Sequence, residues 1–267
     1  LVVLTPVAFF NFGEMTVEEK QTFITHLEEL RRAILISVIA IVIGAGISFY
    51  YNEAILSIIV APLSALQQSL IVTGVTEAFF VKIRLALYAG FVLAFPIMVW
   101  ALWRFVKPAL YPHERRYVYI LLPVTVLLFV SGVLFAYFGI LPLVLNFFIY
   151  IAGENLDTLF KVDQYVAFVT AFTIPFGLVF ELPVVVFFLT KIGVIKPDWM
   201  SRNRKYALLV IVVIAAALTP GPDPISQLMM AIPVYLLYEV SIWVCKWAAR
   251  GRTRQSETGG DDSQKTT

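Results

Sequence analysis

The chain has 267 residues, of which 60% are hydrophobic and 14% are charged, and its formal net charge is +2. A soluble domain of this size could not cover its surface with so few charges, and the small net charge gives no electrostatic basis for binding nucleic acid. Cys245 is the only cysteine, which excludes a disulfide framework within the chain. The composition therefore predicts an all-α protein that crosses a membrane several times.

The first residues, 1–15, are expected to be a disordered extension that precedes the membrane domain. Leu1–Phe10 is apolar, but it has neither a basic start nor a small-residue cleavage site, so no cleavable signal peptide is predicted. A capping-box pattern begins at Thr16, and apolar residues then recur at helical spacing. This pattern predicts an amphipathic helix over residues 16–32 that leads directly into the first span.

Six apolar stretches follow and are predicted to be transmembrane helices. They cover residues 33–51, 84–103, 117–141, 165–189, 206–219 and 227–248. The fifth stretch has 14 residues, fewer than the roughly 17 that a span normally needs, so we expect it to be tilted or to lie where the bilayer is thinner. Short connections predict one domain over residues 16–249, and the polar residues 250–267 predict a disordered tail.

Two longer connections are predicted to cover one side of this six-helix bundle. Apolar residues within 52–76 indicate a helix along the membrane surface, interrupted near Ala61-Pro62. Residues 146–164 form a second cap on the same side. Prolines inside several spans predict kinked helices whose free carbonyl groups are satisfied by neighbouring helices.

The basic residues predict the orientation of the bundle. Of the 20 Lys and Arg residues, 17 lie before the first span, in alternate connections or after the last span, and only Lys82, Arg84 and Lys161 lie on the other side. Positively charged connections stay in the cytoplasm, so both termini are expected to be cytoplasmic. The sequence offers no explanation for Arg84, which lies near the outer end of the second span.

Two polar segments stand out on the predicted cytoplasmic side. In the segment 26–32, at the entrance of the first span, a Glu28–Arg32 pair could simply stabilise the helix and basic residues could bind lipid headgroups, although such weak local pairing leaves a second role possible. Glu114 is the only acid among four basic residues in the connection 104–116. A neighbouring arginine could neutralise it, or the proline-stiffened loop could present it to a cationic peptide.

Two further acids, Glu181 and Glu239, fall inside predicted spans. An ionisable group at such depth costs on the order of 2–3 kcal/mol unless it is paired or hydrated. Each could lie close enough to the interface to reach water, or could form a polar spot in the bundle that admits water or binds a partner. Both histidines lie outside the spans, and neither a metal-binding spacing nor a phosphate-binding loop is present. We therefore expect no enzyme activity, no metal and no cofactor.

Seven motifs in register resemble the TatC family, the multi-spanning core of the twin-arginine protein translocase. They cover the chain from about His26 to Trp247 and comprise residues 26–31, 61–63, 103–105, 108–116, 135–138, 180–183 and the segment from Thr219-Pro220 through Asp223 to Ser226-Gln227.

This resemblance implies a cupped bundle in the cytoplasmic membrane that acts as a receptor and not as a catalyst. Its ligands would be the twin-arginine signal peptides of folded cargo proteins. Its partners would be single-span proteins of the TatA and TatB type, together with further copies of itself. Its energy source would be the proton-motive force. Carried over residue by residue, it implies signal-peptide contacts at Glu29 and Glu114, flanked by Arg31 and Phe105. It further implies an intramembrane polar site at Glu181 in a concave groove, partner docking at Gln227 and a structural proline at Pro62.

One alternative starts from the buried acids alone. Glu181 and Glu239 could serve a proton-coupled secondary transporter of small molecules, which predicts a ligand pocket near the middle of the membrane. That function would leave the two cytoplasmic motifs around Glu29 and Glu114 unexplained.

Overall fold

A computed structural model describes the backbone of residues 17–109, 115–152, 160–218 and 224–261, and side chains within 25–108, 115, 118–151, 160–218 and 224–249. Ten α-helices follow in chain order: α1 Val17–Tyr50, α2 Asn52–Ala65, α3 Glu77–Val106, α4 Arg115–Phe135, α5 Leu141–Ala152, α6 Val162–Val179, α7 Leu182–Lys191, α8 Pro197–Arg202, α9 Arg204–Leu218 and α10 Pro224–Asp261. Two short strands, β1 (Leu70–Ile71) and β2 (Phe160–Lys161), pair in parallel and tie the two connections at one end of the bundle together.

The all-α, membrane-spanning prediction is confirmed. Five helical segments are long and apolar enough to cross a membrane: Thr25–Tyr50, Glu77–Val106, Val118–Ile151, Val162–Lys191 and Pro224–Ala249. The predicted short span corresponds to α9, which has 15 residues. Many large apolar side chains on these helices are exposed, as expected of surfaces that face lipid.

The first span is one continuous helix with the amphipathic segment, as predicted, and it packs mainly against α3. The two helices cross where Gly44 faces Gly90. A Cβ atom added to Gly90 would lie 2.4 Å from the backbone nitrogen of Ala45, and one added to Gly44 would lie 2.7 Å from the carbonyl oxygen of Gly90. Only residues without a side chain permit so close a crossing.

The third span is longer than the sequence predicted. Helix α4 continues through a π-helical turn, Ala136–Ile140, into α5, so that the apolar helical segment runs from Val118 to Ile151. The predicted span, residues 117–141, stopped just before Pro142, which lacks a backbone N–H. The wide turn directly before it absorbs the missing hydrogen bond, and the helix therefore continues.

Helix α2 is not interrupted near Ala61-Pro62, contrary to the prediction. Pro62 cannot donate to the carbonyl oxygen of Ile58, and that oxygen instead accepts a hydrogen bond from the Tyr137 hydroxyl of the third span. The Tyr165 hydroxyl similarly donates to the carbonyl oxygen of Ile59 at 2.9 Å. Two tyrosines from other helices thus hold α2 across the end of the bundle.

The fourth span bends between α6 and α7 at Phe180 and Glu181. Pro183 follows the bend and removes the hydrogen bond that would otherwise reach the carbonyl of Val179, while the amide of Glu181 donates to the carbonyl oxygen of Leu178 at 3.1 Å in a tighter turn. The proline therefore places an acidic residue at a break inside the membrane domain.

The last helix extends to Asp261, so residues 250–261 are helical where the sequence predicted a disordered tail. No proline follows Pro233 in this helix, and an isolated glycine such as Gly251 costs a helix only about 1 kcal/mol. Residues 1–16 and 262–267 lie outside the described part of the backbone. The expected N-terminal extension, residues 1–15, is therefore among the residues that the structure does not describe.

Candidate functional site

The start of α1 and the end of α3 meet at the end of the bundle that carries most of the basic residues. The imidazole ring of His26 on α1 stacks on the ring of Phe105 on α3, with centroids 4.3 Å apart and planes 21° from parallel. One turn further along α1, the Glu29 carboxylate lies 3.5 Å from His26 Nδ1. His26 therefore joins two predicted site residues, Glu29 and Phe105, into one surface.

Charged groups on this surface remain accessible. The Glu29 side chain is 41% exposed, and Arg31 is exposed with no side-chain partner among the described residues. The expected pair between Glu28 and Arg32 does not form within the described part of the chain, since the ion pair of this segment joins His26 and Glu29. The Glu29 carboxylate thus has a weak, replaceable partner instead of a strong basic one.

Glu114 lies outside the described residues, in the gap 110–114. The two ends of its connection are fixed, because Lys107 Nζ donates to the Tyr119 hydroxyl at 2.7 Å and lies 5.0 Å from the centre of the Tyr119 ring. This contact ties the end of α3 to the start of α4. Glu114 immediately precedes α4, so the connection that carries it starts and ends beside the end of α3 that holds Phe105.

Glu181 lines an apolar groove of about 440 Å³ between α1, α3, α4 and the α6–α7 bend. Of the groove's fifteen lining residues, only Ser37, Thr125 and Glu181 have side-chain oxygens. The Oε1 atom of Glu181 is buried and has no hydrogen-bond partner among the described residues. Trp103 and Val106, on the last turn of α3, line the groove too, so the groove extends from the intramembrane acid to the end of the helix that carries Phe105.

Glu239 is in a different environment. Arg204, at the start of α9, contacts both of its carboxylate oxygens at 2.9 and 3.0 Å, and the Tyr235 hydroxyl donates to Oε1 at 3.0 Å. The sequence left open whether Glu239 reaches water or forms a polar spot for a partner. In the structure the forked ion pair with Arg204 occupies its carboxylate. Glu239 also does not line the groove that contains Glu181, and the transporter alternative is not supported.

The remaining predicted positions lie elsewhere in the bundle. Gln227, near the start of α10, donates from Nε2 to the carbonyl oxygen of Val212 on α9 at 3.0 Å. Pro62 lies in α2, far along the chain from the His26 surface. The sequence did not predict that His26 belongs to the surface with Glu29 and Phe105, or that Ser37 and Thr125 line the Glu181 groove. For His26 a signal was available, since it lies three residues before Glu29. Nothing in the sequence distinguishes Ser37 and Thr125 from other hydroxyl-bearing residues.

Comparisons with known proteins agree on one family. The family model described as Sec-independent protein translocase protein (TatC) matches residues 25–233. The chain is 46% identical over 230 residues to the Sec-independent protein translocase protein TatC of Carboxydothermus hydrogenoformans, with 86% of this chain and 95% of that protein covered. It is 36% identical over 245 residues to the TatC of Escherichia coli K12, with 90% and 95% covered.

A solved structure gives the same result at the level of the fold. The crystal structure of the twin-arginine translocase receptor TatC superposes with a TM-score of 0.77 at 41% identity, covering 84% of this chain and 99% of that chain. The residues that the family model matches, 25–233, include His26, Glu29, Phe105 and every residue that lines the Glu181 groove. The chain belongs to the TatC family of Sec-independent protein translocase proteins.

Proposed function

We propose that this chain is the receptor for twin-arginine signal peptides and the core of a Sec-independent translocase for folded proteins. The observation that carries this proposal is the surface on which His26 joins Glu29 to Phe105. Its carboxylate is accessible and has only an imidazole as a partner, so an arriving guanidinium can replace that partner. Beside it lies a stacked aromatic pair that can cover the peptide's side chains.

The chemistry of the ligand follows from Glu29 and from Glu114, which we propose as the second acid of the site. A guanidinium presents parallel N–H groups that match the two oxygens of a carboxylate, whereas a lysine ammonium is a point charge without that fork. We propose that Glu29 and Glu114 each bind one arginine of the pair. Arg31 and Phe105 flank this site and orient the peptide.

The groove accounts for the apolar part of such a ligand. Its lining extends from Val106, the residue after Phe105 in the chain, to Glu181, and is apolar apart from three side chains. We propose that the apolar segment of a signal peptide or the span of a partner enters here, with Glu181 receiving a polar group. The partners are single-span proteins of the TatA and TatB type and further copies of this chain.

The setting of the proposal is the cytoplasmic membrane, with both termini in the cytoplasm and the proton-motive force as the energy source. The distribution of the basic residues supports this orientation. Gln227 is proposed as a docking position, since its amide nitrogen is committed to Val212 while its oxygen has no partner among the described residues. Pro62 is proposed as a structural residue of the cap, where it frees the Ile58 carbonyl for Tyr137.

A matched pair of variants tests the receptor site. Glu29→Gln removes the negative charge of the proposed acceptor and replaces one of its oxygens by an NH₂ donor. Glu28→Gln makes the same change one residue away, on an exposed side chain with no partner among the described residues. The affinity of a twin-arginine peptide for the detergent-purified protein is measured by fluorescence anisotropy. Loss of one charge-assisted hydrogen bond at a partly exposed site predicts a loss of about 1–2 kcal/mol, or roughly 5- to 30-fold.

We expect Glu28→Gln to bind as the unchanged chain does, and a twin-lysine peptide to bind weakly to all three proteins. Equal affinities for Glu29→Gln and Glu28→Gln would contradict a role for Glu29. A lower yield of membrane-inserted Glu29→Gln protein would make that residue structural.

A further inference from the structure

A large cavity lies at the opposite end of the bundle, beside the strands β1 and β2. It is an open depression of about 680 Å³ between the start of α3 and the start of α6. Arg84 and Lys161 both line it. These are two of the three basic residues on this side of the membrane, and neither has a place in the peptide-binding surface.

The cationic groups of the depression have hydrogen-bond donors that are not used by the described residues. Arg84 lies seven residues inside the span that begins at Glu77 and is exposed. Its one contact among the described residues is a hydrogen bond from Nη1 to the carbonyl oxygen of Asp163 at 3.0 Å. A guanidinium has five N–H donors. The Lys161 ammonium has no partner among the described residues.

The two acids of the depression differ in what they can still bind. Glu77 accepts hydrogen bonds from the Thr73 amide, the Thr73 hydroxyl, the Gly74 amide and the Asp163 amide at 2.6, 3.0, 3.0 and 3.3 Å. Its carboxylate is therefore committed to holding the loop in place. The half-buried Asp163 side chain lines the cavity and has no partner among the described residues. The open groups are thus two cations and one anion.

The side of the depression that faces the membrane is apolar. Phe80 and Leu87 line it from α3, at positions seven residues apart on one face of the helix, and their side chains are 63% and 52% exposed. A ligand seated here would have a polar part against Arg84 and an apolar part along this face.

We propose that this depression binds the headgroup of a phospholipid that carries an amine next to its phosphate, as phosphatidylethanolamine does. The phosphate lies against Arg84 and Lys161, the ammonium against Asp163, and an acyl chain along Phe80 and Leu87. Guanidinium and ammonium groups both bind phosphate oxygens, and such contacts offset the cost of an arginine at this depth of a span. The open Asp163 carboxylate favours a headgroup that carries an ammonium over a purely anionic one, because an anionic headgroup would leave Asp163 without a cationic partner.

The test uses the complete protein, purified from membranes of equal phosphatidylethanolamine and phosphatidylglycerol content and examined by native mass spectrometry for retained lipid. The variants are Arg84→Gln, Lys161→Gln, both together, and Asp163→Asn. Lys82→Gln is the matched control, because Lys82 is an exposed base two residues from Arg84 that does not line the depression. The Lys161 side chain makes no described contact, so Lys161→Gln carries the test if Arg84→Gln fails to fold.

We expect one tightly retained phosphatidylethanolamine, with retention reduced about fivefold for each basic residue removed. Lys82→Gln should retain lipid as the unchanged chain does, and Asp163→Asn should lose the preference for phosphatidylethanolamine. Equal losses in Lys161→Gln and Lys82→Gln would overturn the proposal, as would equal retention of both lipids by the unchanged chain. Displacement of the lipid by inorganic phosphate would assign the site to a soluble phosphate and would overturn it too.

Discussion

Replacement of Gly90 by alanine should push α1 away from α3. The new Cβ would lie 2.4 Å from the nitrogen and 2.6 Å from the Cα of Ala45, whereas carbon atoms in van der Waals contact are about 3.5–4.0 Å apart. The two helices must therefore separate by about 1 Å. The clashing atoms belong to the backbone and cannot rotate away, so relief has to come from movement of α1 as a whole.

The magnitude follows from two opposing effects. Overpacking costs about 1–3 kcal/mol, and the rigid backbone at this crossing places the cost in the upper part of that range. Alanine returns about 1 kcal/mol through its better helix propensity. We expect Gly90→Ala to lower the free energy of unfolding by about 1–2 kcal/mol. Because α1 packs mainly against α3, the shift should also move Glu29 away from Phe105 and weaken peptide binding.

Gly46→Ala is the matched control, since it lies on α1 and no atom is within 4 Å of the added Cβ. We expect this variant to be as stable as the unchanged chain, or more stable by up to about 1 kcal/mol. Unfolding is measured by titration with sodium dodecyl sulfate in mixed micelles, followed by tryptophan fluorescence. A Gly90→Ala protein as stable as Gly46→Ala would refute the close crossing of α1 and α3.

Three further predictions concern polar groups inside the bundle. Arg204→Gln leaves the Glu239 carboxylate, 27% exposed, without its cation and should lower the free energy of unfolding by about 1–2 kcal/mol in the same titration. Adding Glu239→Gln to this variant should recover most of the lost stability. Additive losses in the double variant would argue against the ion pair. Tyr137→Phe removes the donor to the Ile58 carbonyl and should cost about 1–3 kcal/mol, with faster hydrogen exchange in α2; unchanged exchange would contradict this role. Glu181→Ala should leave peptide affinity unchanged while reducing co-purification of single-span partners, and the opposite result would make Glu181 part of the recognition site.

The membrane spans could be predicted from the sequence because hydropathy and length are local properties. The short α9 is an example, since its apolar stretch is bounded by Arg204 and Lys205 on one side and Pro220 on the other. The break at Glu181 was also visible as an acid followed two residues later by Pro183. Residues 33–50 of the predicted first span lie within α1 for the same reason.

The contacts that the sequence did not predict join residues far apart in the chain. Helix α2 continues past Pro62 because Tyr137 of another span binds the free carbonyl, and Glu239 is occupied because Arg204 lies across from it. Neither partner can be identified from the local pattern around Pro62 or Glu239. The same holds for His26, whose stacking on Phe105 depends on how α1 packs against α3.

Photocrosslinking from position 105 tests the proposed receptor surface most directly. A benzoylphenylalanine replaces Phe105, and a control probe replaces Tyr206, an exposed aromatic residue near the start of α9. A twin-arginine peptide should form adducts at position 105 and not at position 206, and a twin-lysine peptide should form few at either. Equal adducts with both peptides at position 105 would contradict recognition of an arginine pair by paired carboxylates.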